Sequence, residues 1–283
     1  MTGKLITLID ASIYAQSVCD TAAWVASRTG FAVELMHVVD PPERNGDGDL
    51  SGAIALGART ALLEKLSELD EERAKLVNQR GRALLEDART VLEGHGITVS
   101  EHLRRGDLLE AIKERSGDAD MLLIGKRGEA ADFAKAHLGS NLDRIMRETA
   151  KPLFIAARAF RPVERVLIAF DGSSSAQRAV DYVARSPLHQ GLDVSVVSVG
   201  VETAAAQKGL QDARAMLGAA GLTADTKLLP GQPADVLGKL VETAPFDHLV
   251  MGASGHTRLR KMFVGSNSLQ LVRECKVPIL LIR

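Results

Sequence analysis

Ten short apolar runs, arranged as two successions of five, constrain this chain more than any other feature. They fall at residues 4–10, 32–39, 97–103, 119–125 and 152–157, and again at 165–171, 193–199, 223–229, 248–252 and 278–282. Helical segments separate them, which is the pattern of parallel strands joined by crossover helices. Smaller landmarks recur in the same order. Ile9-Asp10-Ala11-Ser12 answers Phe170-Asp171-Gly172-Ser173, Arg105-Gly106-Asp107 answers Pro230-Gly231-Gln232, and a Pro-led apolar run closes each half. The chain therefore reads as an internal repeat at domain scale. The halves are expected at residues 1–158 and 163–283, with Phe160-Arg161-Pro162 interrupting the pattern between them. The expected fold is α/β, two tandem doubly wound domains, each with a five-stranded parallel sheet.

The halves differ after their second strand. The first carries an insertion over residues 41–95, made of a Pro/Gly/Asp-rich loop and a charged helical stretch at 59–92. Leu62, Leu63, Leu66, Leu69, Leu76, Leu84, Leu85, Ala88 and Leu92 form its apolar stripe. Either a long crossover helix with a solvated face or an arm that binds a partner fits this pattern.

In a doubly wound sheet the chain reverses direction between its first and fourth strands, and ligands bind at the carboxyl ends there. In the second half those ends carry Asp171 and Met251-Gly252-Ala253-Ser254-Gly255, and after nine residues Gly265-Ser266-Asn267 opens a helix. Glycines permit close approach of backbone, and a helix N-terminus offers free N–H groups to phosphate. An acidic side chain beside them can accept hydrogen bonds from ribose or adenine. Each element also has a plainer reading, since Asp-Gly-Ser and Gly-Ser-Asn are common turns and helix caps. The conjunction at the expected switch point favours a nucleotide. The first half carries a worn copy, with Asp10, Gly125, Gly128, Gly139, Ser140 and Asn141, ten residues between its glycines, and Glu129 and Asp132 in the loop. Negative charge beside phosphate is unfavourable unless a cation intervenes, so the second site ranks above the first.

Other chemistry is less well supported. Arg258, Arg260 and Lys261 could screen phosphate charge, but surface loops commonly carry such residues. No spacing brings His256, Ser254 and Asp171 together as a triad, and no catalytic residue is assigned. There is no Walker-type loop, and the dispersed histidines, including His37, His102 and His248, do not have metal-ligand spacing. With 35 basic and 36 acidic residues, no broad surface for nucleic acid or anionic lipid is expected. Only Cys19 and Cys275 occur, and no apolar run is long enough to span a bilayer. A cytoplasmic protein is expected.

On these residues the chain resembles the universal stress protein family, whose fingerprint is Gly-x-x-Gly, nine residues, then Gly-Ser or Gly-Thr. Gly252, Gly255, Gly265 and Ser266 carry it, and the resemblance spans nearly the whole chain as two tandem domains. It implies a Rossmann-like, adenine nucleotide alpha hydrolase-like fold that binds ATP, AMP or ADP, with or without Mg²⁺, in a stress response. By resemblance the nucleotide roles fall on Asp171, Val199, Met251, Gly252, Gly255, Gly265, Ser266 and Asn267. In the first half they fall on Asp10, Val38, Gly125, Gly128, Gly139, Ser140 and Asn141. Gly200 departs from the family, which often has an acidic or polar residue there.

Family members commonly dimerise through their last strand. The apolar runs at 152–156 and 278–282 could instead pair with each other inside one chain, leaving further homodimerisation open. A non-enzymatic or very slow regulatory protein is the leading expectation. A slow ATPase or phosphotransferase, a nucleotide-free interaction module and a flavin domain are the alternatives. Gly252→Val or Gly265→Val is expected to abolish nucleotide binding and leave folding largely intact.

Overall fold

The structure is a computed structural model, and it describes residues 3–39, 56–128, 140–253 and 266–283. In the first half the strands are β1 (Lys4–Leu8), β2 (Ala32–Val39), β3 (Val99–Arg105), β4 (Met121–Gly125) and β5 (Leu153–Ala156). The second half repeats them as β6 (Arg165–Ala169), β7 (Asp193–Val199), β8 (Ala224–Leu229), β9 (His248–Gly252) and β10 (Ile279–Ile282). The crossovers are α1 (Ala15–Thr29), α2 (Leu56–Gly94), α3 (Leu108–Arg115) and α4 (Ser140–Glu148), then α5 (Ser174–Arg185), α6 (Ala204–Ala219), α7 (Pro233–Thr243) and α8 (Ser266–Glu274).

All ten strands form one sheet in the order β3-β2-β1-β4-β5-β10-β9-β6-β7-β8. Every neighbouring pair is parallel except β5 and β10, which run antiparallel with Leu153 opposite Leu281 and Ile155 opposite Ile279. The two apolar terminal strands thus close each other's edge within the chain.

Strand periodicity sorts the side chains into two cores. Leu5, Leu35, Met121, Leu123, Phe154, Ile168, Val196, Val250 and Leu280 face one side and pack under α1, α2, α5 and α6. Ile6, Leu8, Met36, Leu122, Ile155, Leu167, Leu249, Met251 and Leu281 face the other, under α3, α4, α7 and α8. Odd and even positions of one strand serve opposite cores, so a one-residue slip would expose both.

Three features were not expected. The first strand of each half ends two residues before its aspartate, because Asp10 and Asp171 each turn a carboxylate oxygen onto the N–H two residues on, at Ser12 (3.1 Å) and Ser173 (2.9 Å). Such an Asx-turn offers the backbone an alternative to continuing the ladder. Secondly, β3 and β4 each start two residues later than the apolar pattern suggests, β3 because Gly96 takes a left-handed turn (φ +73°) after α2.

The third is a ring stack across the seam between the halves. Trp24 of α1 meets Phe154 of β5 edge-on at 6.1 Å, and His248 of β9 lies flat on Phe154 at 5.0 Å. His189, from the turn after α5, stacks on the far face of that group at 5.7 Å from His248. Both imidazoles are fully buried. Arg28 ties α1 to the same turn by donating to the carbonyls of Leu188 (2.7 Å) and Gln190.

Candidate nucleotide crevice

The switch point of the second half lies between β6 and β9, where the chain departs to opposite sides of the sheet. A cavity of about 350 Å³ opens there, at the carboxyl ends of β6, β7 and β9. Its walls are largely apolar, with Ala169, Phe170, Val197, Val199, Leu237 and Met251, and it is bordered by Asp171, Ser198, Gly252 and Ser268. An apolar slot with a few polar groups at its border suits a flat heterocycle joined to a polyhydroxyl group.

Local hydrogen bonds and backbone turns shape the mouth of the cavity. Phe170 N–H donates to the Val197 carbonyl (2.9 Å), which directs the chain from β6 toward the mouth. Asp171 then shapes the turn that presents Ser173, whose hydroxyl caps α5 by accepting from Ala176 N–H (3.2 Å). Gly200 leaves β7 with φ +152° while its N–H donates to the Leu229 carbonyl (2.9 Å). A side chain is disfavoured at that dihedral, which accounts for glycine where the family pattern has a polar residue. Ser268 and Leu271 lie one turn apart on α8, so the first turn of that helix faces the cavity.

Of the residues expected from the sequence, Asp171, Val199, Met251 and Gly252 line this one cavity. Ser266 and Asn267 begin α8. Gly255 and Gly265 lie outside the described residues, as do Ser254, His256, Arg258, Arg260 and Lys261.

Gly252 has a structural role that the sequence did not suggest. A Cβ there would stand 2.6 Å from the backbone carbon of Ser175 and 2.7 Å from Ala176 N. Its bareness lets β9 touch the first turn of α5, so valine at this position would disturb the fold. The expectation that Gly252→Val leaves folding largely intact is corrected.

The first half differs inside the same frame. Tyr14 occupies the place of Ser175, and a Cβ on Gly125 would fall 2.9 Å from Tyr14 Cβ. A Cβ on Gly128 would stand 3.1 Å from Asp10 Oδ2, so this loop returns directly over the aspartate. Val38 is half-buried on β2, and Asn141 is exposed on α4, which Ser140 begins. Gly139, Glu129 and Asp132 lie outside the described residues.

Sequence reasoning missed Ser198, Leu237 and Ser268, although the three-residue step from Ser268 to Leu271 marks one face of α8. It also missed Lys126, which carries the first half's glycine segment to the second half. Its Nζ donates to the Cys275 carbonyl (2.5 Å), just past the end of α8, and burial lowers its pKa to about 8. No local pattern announces a contact 149 positions away. Among the described residues no helix is long and apolar enough to cross a membrane.

Comparison with known proteins agrees with this architecture. The model of the universal stress protein family matches twice, at residues 1–157 and 162–283. A universal stress protein of Synechocystis sp. is 34% identical over 285 residues, covering 99% of both chains. The crystal structure of a universal stress protein from Archaeoglobus fulgidus superposes with a TM-score of 0.72 at 18% identity, covering 99% of this chain and 98% of that one. A structure of a putative universal stress protein from Pseudomonas aeruginosa gives 0.62 at 14% identity, with 99% and 93% covered. These two show the shared fold. With two family repeats along its length and a full-length relative at 34% identity, the chain belongs to the universal stress protein family.

Proposed function

We propose that the protein binds an adenine nucleotide in the crevice of its second half, and that occupancy regulates a partner or a conformation instead of driving fast chemistry. The observation that carries this reading is the cavity at the switch point, bordered by Asp171, Val199 and Gly252 and faced by the first turn of α8. The apolar slot takes the base, and the carboxylate of Asp171 takes ribose hydroxyls. Phosphates run toward α8, where N–H groups and the helix dipole favour negative charge by about 0.3–1 kcal/mol. Mg²⁺ would accompany ATP by binding its phosphate oxygens. Ligand binding then shifts a population by its differential affinity for two states. Family membership supports the nucleotide, and the residues expected from the family pattern that meet in one cavity support its place.

Calorimetric titration with ATP and AMP tests the reading. Asp171→Asn keeps an oxygen for the Ser173 N–H but removes the charge, so it should weaken binding about tenfold, equivalent to about 1.4 kcal/mol, with unchanged melting. No heat with either nucleotide at millimolar concentration refutes the site. Release of labelled phosphate at many turnovers per minute refutes the regulatory reading and favours an ATPase.

A further inference from the structure

Helix α8 has one end at each half. Its first turn faces the cavity of the second half through Ser268 and Leu271. A carbonyl at a helix C-terminus has no partner within the helix, and here that of Cys275 accepts from Lys126 Nζ of the first half (2.5 Å). A single hydrogen bond separates this contact from the cavity wall, since Cys275 N–H donates to the Leu271 carbonyl (2.8 Å) and Leu271 lines the cavity. The helix is nine residues long, about 13 Å. Leu271, Val272 and Cys275 are buried in the core that α8 shares with α7. Packed interiors yield little, so a shift at Cys275 is carried to the first turn.

Lys126 follows Gly125, the last residue of β4, and belongs to the segment whose Gly128 returns over Asp10. In the second half Ala253 holds the matching place after Gly252 and is buried, so no cation stands there. The reverse reach, from Arg283 to the Met146 carbonyl near the end of α4, starts after β10 and not from a glycine segment. Lys126 is half-buried. The charged and titratable groups acting on it are Arg127 beside it, and Glu274 and the Cys275 thiol at the end of α8. Its ammonium meets the negative end of the α8 dipole in a partly desolvated setting, where a charge counts for more than on an open surface.

We propose that Lys126 is a positioning residue for the cavity of the second half. By capping α8 it holds the first turn of that helix where nucleotide phosphates meet it, so the first half sets the affinity of the second. This inference rests on the nucleotide reading above and adds the regulation of that site.

Calorimetric titration of the full-length protein with ATP tests it, comparing the wild type with Lys126→Met, Lys126→Arg and Arg28→Met. Lys126→Met keeps the aliphatic stem without the charge and should raise the dissociation constant at least about fivefold. Lys126→Arg keeps a cation and a donor and should recover most of that loss. Arg28→Met removes the tie to the Leu188 and Gln190 carbonyls on the opposite face of the sheet. It should lower the melting temperature and leave affinity unchanged, whereas a merely structural Lys126 would make the two methionine variants alike. Burial lowers the Lys126 pKa to about 8, so wild-type binding should weaken from about pH 7 to 9 as the proton leaves. Burial holds the Cys275 thiol above its ordinary value and out of that range. The step should be absent from Lys126→Arg, which stays charged. Wild-type affinity in Lys126→Met, equal losses in Lys126→Met and Arg28→Met, or an unaltered pH step in Lys126→Arg each overturns the proposal and leaves the nucleotide reading standing. No heat from the wild type overturns both.

Discussion

Gly252 lies so close to Ser175 that a Cβ on the glycine would stand 2.6 Å from the serine's backbone carbon. The fourth strand of the second half and the helix after its first strand therefore meet backbone to backbone, immediately beneath the crevice. Gly252→Ala forces main chain to move, and overpacking of this kind costs about 1–3 kcal/mol. Gly238, in the middle of α7, provides the contrast, because nothing lies within 4 Å of its added Cβ. Gly238→Ala should stabilise by about 0.5–1 kcal/mol through helix propensity. Opposite signs in paired denaturant titrations are the expected outcome; equal effects would mean that the contact with α5 does not constrain β9.

Glu34 is an acid-labile tie. It is buried on β2, with Arg115 donating to both of its oxygens (2.8 and 2.6 Å) and Lys4 Nζ at 2.9 Å. Burial alone would raise its pKa. The hydrogen bonds and charges of Arg115 and Lys4 outweigh that and hold it at about 2, against an ordinary 4.5. A carboxylate with a lowered folded pKa contributes stability above its unfolded value and loses it as pH falls through the folded one. Up to about 3 kcal/mol should thus disappear between pH 4.5 and 2. Glu34→Gln should remove this pH dependence and destabilise at neutral pH, as it leaves two cations without their anion. Urea titrations from pH 6 to 2 measure both effects.

The stacked histidines work in a higher window. Burial lowers the His248 pKa to about 4 from an ordinary 6.5, opposed in part by its Nδ1–H bond to the Pro278 carbonyl. Burial also holds His189 well below the ordinary value, helped by neighbouring His248 and by Arg28. Between those values the unfolded chain binds protons that the folded one rejects, so stability falls as pH drops from 6.5 toward 4. For His248 this amounts to about 3 kcal/mol. His248→Phe keeps a ring against Phe154 and should remove His248's share of the slope in this window, leaving that of His189, with the Glu34 window unchanged. An unaltered slope between pH 6.5 and 4 would refute burial of a neutral imidazole.

How much of this was legible depended on whether the cause was local. The bounds of β2, β7 and β9 follow directly from apolar runs flanked by turn residues, and the apolar closing strands signalled a paired edge. The strand ends at Asp10 and Asp171 were misplaced, because an Asx-turn competes with the ladder and leaves no trace in hydropathy. Asp171, Met251 and Gly252 could be named because strand ends at a switch point converge by topology, whereas Val199 came only from the resemblance to the family. Gly252 was assigned to ligand approach alone, since its clash partner, Ser175, lies in a different element. The seam of Trp24, Phe154, His248 and His189 was invisible for the same reason. Rings from four elements meet only after the order β5-β10-β9 is known.

That seam predicts how the protein melts. Trp24 is the chain's sole tryptophan, and it rests edge-on against Phe154 and, at 6.3 Å, against His248 of the other half. Its fluorescence thus reports the junction, while far-ultraviolet circular dichroism reports all the helices. The sheet is continuous through β5 and β10, and Arg28 and Lys126 reach carbonyls across the seam. The two signals should therefore follow a single denaturant transition, the mark of one cooperative unit. Phe154→Ala removes a fully buried ring at the centre and should cost about 3–5 kcal/mol. Much of that loss falls on the junction, so in this variant Trp24 should report an earlier transition than the circular dichroism. Coincident curves in the variant would show that β5–β10 pairing holds the halves together without the ring stack. Separate curves already in the wild type would show that the halves unfold independently.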